Sequence, residues 1–378
     1  MAKLFTPIQV GDIQLRHRVV QAPMTRLRVD AGTNVILPTV KEYYGQRAST
    51  PGTLIISEGI VVAKKAGAYA APAVASYDPK KSLGGVHAAS PGIWSEAQIT
   101  AWREVTDAVH ERGSFIYCQL FAMGRAATAP ELADPNVDFD LVSASAIPLP
   151  GETIIPRALT IEDIQEYVQM FVQAAKNAVR AGFDGVEIHG ANGYLLDAFL
   201  QDTANQRTDA YGGSPENRSR LLLEIVSATT EAIGESKVGV RISPWSSFQG
   251  MLMADPIPTF THLVRALAAY PRLAYLHIVE PRVEGSTTVD ASTHNAGHSN
   301  DFIRALWGAR ILISAGGYTR ASALERAEQG DIIAFGRPFL ANPDLPVRLE
   351  KDIPLTKGDR GTYYVPTVEG YTTYPFAE

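Results

Sequence analysis

Cysteine is almost absent from the 378 residues, with Cys118 the single one. One thiol excludes an intrachain disulfide framework and any cysteine-built metal or iron–sulfur site. A basic excess is missing too. Lys and Arg number 34 against 40 Asp and Glu, a net charge of −6, which argues against a nucleic-acid binder held by a positive stripe. No apolar run is long enough to cross a bilayer, and Met1-Ala2-Lys3-Leu4-Phe5-Thr6-Pro7 has no apolar signal core. Neither membrane partners nor secretion are therefore expected, and a cytoplasmic location is. Histidines 17, 87, 110, 189, 262, 277, 294 and 298 show no tight ligand spacing, so no metal site is expected. Finally, no Gly-x-Gly-x-x-Gly turn follows any β-rich run, which removes a dinucleotide cradle.

What the chain does have is alternation. Short β-rich runs fall at 19–25, 52–60, 114–121, 182–190, 238–244, 273–280, 311–317 and 332–339. Most open as continuous apolar stretches, as strands buried on both faces do. Helical patterns lie between or after them at 37–48, 96–112, 160–181, 215–233, 257–270, 299–307, 320–329 and 343–351. Thr160 with Asp163, and Ser214 with Pro215, are start signals. Eight βα units predict a (β/α)8 TIM barrel. Ile8–Val10 and Ile13–Leu15 around Gly11-Asp12 predict a β-hairpin capping its N-terminal mouth. No domain boundary is visible, so residues 1–378 are expected to form one domain. Long connections at 61–95, 122–159 and 281–298 all follow strands and belong on the C-terminal face, where barrel chemistry sits.

Strand ends supply the candidate groups. Gly316-Gly317 and Gly336-Arg337, after strands seven and eight, suit a phosphate, or else only tight turns. Arg241 on strand five either pairs with a structural carboxylate or meets an electron-rich cofactor edge. Thr25 and Gln119 suit the polar rim of a heterocycle, or are ordinary core polar groups. His189 and Asn192 can donate two hydrogen bonds to one carbonyl oxygen, and the Tyr194 phenol can hand over a proton.

The segments Val186-Glu187-Ile188-His189-Gly190-Ala191-Asn192-Gly193-Tyr194, Arg207 to Arg218, Ala22-Pro23-Met24-Thr25, Val240 to Pro244 and Ala334 to Pro338 resemble the old yellow enzyme family. These are FMN-dependent, NAD(P)H-consuming ene-reductases. The resemblance runs from residue 5 to residue 376. It implies non-covalent FMN as bound cofactor and NADPH as transient co-substrate. Pro23, Met24, Thr25, Gly59, Gln119 and Arg241 would surround the flavin ring, with Arg241 facing the anionic reduced form. Gly316, Gly317, Gly336 and Arg337 would hold the phosphate, and Tyr363 would be a flavin-edge aromatic. His189 and Asn192 would grip the substrate carbonyl, and Tyr194 would be the proton donor. Tyr69, Phe121 and Tyr364 would complete the substrate pocket.

The implied reaction is ping-pong reduction of the activated C=C bond of an enone or enal, with net trans addition. A redox-neutral flavin isomerase or cyclase of fungal secondary metabolism is the alternative, and a small molecule is the partner in either case. A monomer or homodimer is expected. Two departures from the family pattern bear on substrate. Phe121 stands where many members carry Trp. The stretch from Tyr69 to Pro91 is longer than usual, so the loop from about 66 to 92 is expected to be a lid, or a surface insertion without a role.

Overall fold

The computed structural model describes residues 2–30, 32–67, 90–127, 141–285, 287–288, 297–365 and 367–377. Tyr69 and most of the 66–92 loop lie outside these residues. Eight parallel strands form the centre: β1 (Val19–Gln21), β2 (Leu54–Ile56), β3 (Phe115–Phe121), β4 (Gly185–Gly190), β5 (Val238–Ile242), β6 (Tyr275–Val279), β7 (Leu312–Ala315) and β8 (Ile332–Phe335). Each pairs with its successor, and β8 pairs with β1, so the sheet closes on itself. Eight helices follow in turn: α1 (Thr39–Arg47), α2 (Glu96–His110), α3 (Ile161–Arg180), α4 (Pro215–Ile233), α5 (Ile257–Leu267), α6 (Asp301–Trp307), α7 (Arg320–Glu328) and α8 (Leu345–Lys351). The expected (β/α)8 barrel is therefore present.

The start signals work as their chemistry requires. Thr160 and Asp163 form a reciprocal capping box on α3, and Ser214 accepts from the Asn217 N–H ahead of Pro215 on α4. Such caps contribute about 1 kcal/mol each by satisfying orphan N–H groups. Strand ends are shorter than the apolar runs suggested. The run at 52–60 breaks after Ile56, and Ile60–Val61 rejoins β3 separately. The break arises because the Ser57 hydroxyl accepts from the Gln119 N–H and the Glu58 N–H donates to the Tyr44 hydroxyl. The eighth run stops at Phe335, and Arg337 opens a short helix, Arg337–Ala341, with Pro338 in its first turn.

Inside the barrel, side chains alternate with period two. Gly185 faces Tyr117, and Gly239 faces Tyr275; a Cβ at either glycine would lie within 2.5 Å of the opposing ring. The two tyrosine rings, 5.6 Å apart, fill the lower barrel together with Val20, Leu54, Ile56, Ile313 and Ile332. The hairpin Ile8–Val10 and Ile13–Leu15 packs Val10, Ile13 and Leu15 into this same cluster. It closes the N-terminal mouth, so the one open end is the other. Among the described residues no helix is long and apolar enough to cross a membrane.

Below β1, His17 sits buried with Nδ1 accepting from the Val19 N–H at 3.2 Å and Nε2 at 3.1 Å from the Thr53 hydroxyl. Burial lowers its pKa to about 4. A histidine depressed in the folded state contributes stability above the unfolded value of about 6.5 and loses it as pH falls toward 4. Between pH 7.5 and 4.5 this one group should remove about 2–3 kcal/mol. Urea unfolding of His17→Asn, whose amide oxygen can replace Nδ1, should show a correspondingly smaller difference between those two pH values. An unchanged difference would refute the assignment.

Candidate active site

At the open end, one cavity of about 1190 Å³ occupies the C-terminal face. Its floor is made by inward positions one and two steps above the tyrosine layer. Gln119 and Phe121 rise from β3, His189 from β4, Arg241 from β5 and Val279 from β6. Pro23, Met24 and Thr25 follow β1 and form one wall, with Gly59 beside them. Gly316, Gly317, Gly336 and Arg337 form the far end, and Tyr363 and Tyr364 close the side. Asn192 and Tyr194 complete it. Every described residue singled out from the sequence thus lines one space; Tyr69 is outside the described residues.

The loop after β4 is held by groups that sequence inspection missed. Asn192 takes a left-handed conformation, φ +59°, followed by Gly193 at φ +75°. Asn tolerates this region better than most residues. Asp197, fully buried, accepts from the Gly193 N–H at 2.8 Å, and the Ser243 hydroxyl accepts from the Asn192 N–H at 2.8 Å. Gln249 donates to the Asn192 carbonyl at 3.0 Å. Burial raises the Asp197 carboxyl to about 7. The Asn192–Gly193 turn that leads to Tyr194 is therefore held by the side chains of Asp197, Ser243 and Gln249.

Three rings meet at the centre. Phe121 stands edge-on to Tyr194 at 5.1 Å and tilted to His189 at 6.2 Å, and His189 lies 5.3 Å from Tyr194. Gly59 makes room for Phe121, since a Cβ there would lie 2.9 Å from its ring. Burial, together with Arg241 and His277, holds the His189 pKa well below its ordinary value. Burial and the neighbouring Tyr364 raise that of Tyr194. At neutral pH the site therefore presents a neutral imidazole and a protonated phenol.

The Tyr363–Tyr364 wall is pinned across the whole chain. Arg26 donates to the carbonyls of Tyr363 and Gly370 at 3.1 and 3.0 Å. Arg28 donates to those of Tyr363, Thr362 and Thr367 at 2.7, 3.1 and 3.0 Å. The Arg28 guanidinium lies 4.3 Å from the Tyr371 ring, which stacks on Tyr43 at 4.3 Å, and Arg47 lies 3.7 Å from the other side of Tyr43. Guanidinium–aromatic stacking of this kind contributes about 0.5–2 kcal/mol per contact.

A flat, hydrogen-bonding cofactor with one phosphate fits this cavity. His189 Nδ1 and Arg241 Nε are buried polar atoms without a hydrogen-bond partner among the described residues, and such atoms require one. Gly316 lies so close to Glu280 that a Cβ would sit 3.0 Å from it, and Gly317 has φ +61°. Both positions therefore favour glycine.

The sequence profile of the NADH:flavin oxidoreductase / NADH oxidase family matches residues 3–356. The chain is 47% identical to the chanoclavine-I aldehyde reductase fgaOx3 of Penicillium roqueforti, covering 100% of this chain and 97% of that one. It is 46% identical to the NADP-dependent oxidoreductase lnbE of Aspergillus flavus, and likewise 46% to the probable inactive reductase easA of Epichloe festucae var. lolii. In both cases all of this chain is covered, with 97% and 96% of the relative. Among solved structures, an old yellow enzyme of Pichia sp. superposes with TM-score 0.84 at 35% identity over 99% of this chain and 94% of that one. The homologue from Zymomonas mobilis gives 0.85 at 34% over 99% of both. The chain belongs to the old yellow enzyme family of FMN-dependent oxidoreductases.

Proposed function

We propose that the protein reduces the activated C=C bond of an α,β-unsaturated aldehyde or ketone by a ping-pong mechanism, with NADPH and the alkene compound using the same cavity in turn. The observation that carries this reading is the convergence of His189, Asn192 and Tyr194 at one end of a cavity whose other end is glycine-rich. The aldehyde-reductase names of relatives at 47% and 41% identity support an enal. FMN, when bound, would supply the hydride chemistry that links NADPH to the β-carbon.

In this reading Pro23, Met24, Thr25, Gly59, Gln119, Arg241 and Tyr363 surround the ring system, and Gly316, Gly317, Gly336 and Arg337 hold the phosphate. His189 and Asn192 donate to the substrate carbonyl oxygen and stabilise the negative charge that develops there. Neutral His189 offers one N–H to the cavity, and Asn192 offers its amide. Tyr194, kept protonated by burial, gives its proton to the α-carbon and regains one from solvent. Phe121 and Tyr364 limit how the alkene lies against these groups. A tyrosine at 194 also favours reduction over the redox-neutral alternative, which needs no external proton at the α-carbon.

The test is a visible spectrum of the purified protein under anaerobic conditions. NADPH should bleach a yellow chromophore, and 2-cyclohexenone or an enal should restore it. A yellow protein that NADPH bleaches but no unsaturated carbonyl compound restores would overturn the reading. Denaturation should release all the flavin as FMN. Arg337→Ala should weaken FMN retention about 10–100-fold, the value of one hydrogen bond to a charged group. Equilibrium dialysis of the variant decides this; equal retention removes Arg337 from the phosphate site.

A further inference from the structure

Below the cavity floor lies a set of polar groups that the proposed reaction leaves unused. Glu187 is fully buried on β4, one inward step below His189. Its Oε1 accepts from Gln119 Nε2 at 2.7 Å, and its Oε2 lies 2.7 Å from His277 Nδ1. Arg241 stands in register with His189 on one side and His277 on the other. Tyr275 also faces Glu187. A carboxylate sealed in a barrel costs several kcal/mol unless donors and cations offset it.

The charge states follow from the neighbours. Burial alone would raise the Glu187 carboxyl, but His277, Arg241 and Gln119 together hold it below its ordinary value. Burial holds His277 below its ordinary value against the pull of Glu187. At neutral pH the set is therefore one carboxylate, one guanidinium and a neutral imidazole donating through Nδ1. A carboxylate only accepts hydrogen bonds. It therefore forces the Gln119 amide to turn its NH2 group toward Glu187 and leaves the amide oxygen for the cavity.

We propose that Glu187 is a positioning residue that sets how readily the bound flavin is reduced, by offsetting the charge of Arg241 and by fixing the Gln119 amide with its oxygen toward the cofactor. The proposal rests on the placement of Gln119 and Arg241 against the flavin. Two-electron reduction leaves the flavin more negative, so an uncompensated guanidinium beside it favours the reduced form. With Glu187 ionised the pair is neutral, and the reduced cofactor remains a strong donor to the alkene.

The experiment is dye-equilibrated reduction of the holoenzyme at pH 7, comparing wild type with Glu187→Gln and Glu187→Asp. Glu187→Gln should keep FMN and raise the reduced-to-oxidised ratio at a fixed potential at least about tenfold, or about 30 mV for a two-electron couple. Glu187→Asp should restore most of the wild-type ratio. If Glu187→Gln does not fold, His277→Leu provides the second arm. It removes the Nδ1 donor, leaves the carboxylate with one hydrogen bond fewer, and should shift the ratio at least about threefold. An FMN-bearing Glu187→Gln within twofold of wild type, or an unchanged His277→Leu where the first variant fails, would overturn the proposal. Arg241→Gln separates the two levels of failure. If that holoenzyme shows a wild-type ratio, the placement of Arg241 at the flavin is wrong. If it lowers the ratio while Glu187→Gln does nothing, only the role of Glu187 is wrong.

Discussion

Tyr194→Phe is expected to slow reoxidation of the NADPH-reduced holoenzyme by an enone about 10²–10⁴-fold, the usual cost of losing a positioned general acid. Reduction by NADPH should be nearly unchanged, because no proton is delivered to carbon in that half. The structural reason is that Tyr194 touches Phe121 and His189 but opens the Leu195–Leu200 helix rather than supporting the floor of the cavity. The turn before it is held by Asp197, Ser243 and Gln249. Stopped-flow traces of the two halves measure this directly. Equal slowing of both would mean that Tyr194 shapes the cavity instead of supplying a proton. Nitroalkenes should be affected less, since their reduced anion leaves without protonation.

His189→Ala carries the second large effect. Removing one preorganised donor to a developing oxyanion costs about 10²–10³-fold, and the loss should fall on kcat/KM for the unsaturated carbonyl compound. Burial, with Arg241 and His277, holds the imidazole's pKa well below its ordinary value, so His189 should impose no acid limb on the pH profile of this half-reaction near neutrality. Asn192→Ala should combine a smaller loss of polarisation with disturbance of the left-handed turn at φ +59°. Steady-state comparison over pH 5–9 in both variants tests this. A basic limb that disappears in His189→Ala would show that the imidazolium, not the imidazole, acts in catalysis.

Much of the molecule was legible from the residues. Apolar runs with polar ends gave all eight barrel strands, and period-3.6 patterns gave the helices, because burial on both faces and on one face leave different periodicities. Thr160 and Ser214 located helix starts, since side-chain caps are local. Strand ends were legible only roughly. The break after Ile56 depends on hydroxyls of Tyr44 and Ser57 meeting partners 14 and 62 residues away, which no local pattern encodes. The site residues on β3, β4 and β5 were recognisable by type and position. The groups beneath them were not: Asp197, Ser243, Gln249 and His277 act through partners on other elements. Glu187 did leave a signal. It stands two residues before His189, so on a strand the two must share the inward face, and a carboxylate there demands an internal partner.

The Arg26–Arg28 clamp on residues 362–371 has a consequence for biogenesis. Chains emerge N-terminal end first, so the barrel strands and the glycine-rich turns can assemble while the wall bearing Tyr363 and Tyr364 is still missing. The two arginines, already surrounded by Tyr43 and the β1 exit, must then wait with unmet guanidinium donors for carbonyls synthesised more than 330 residues later. The side of the cavity that carries Tyr363 and Tyr364 thus joins after the barrel strands, and a chain interrupted before residue 362 would lack it.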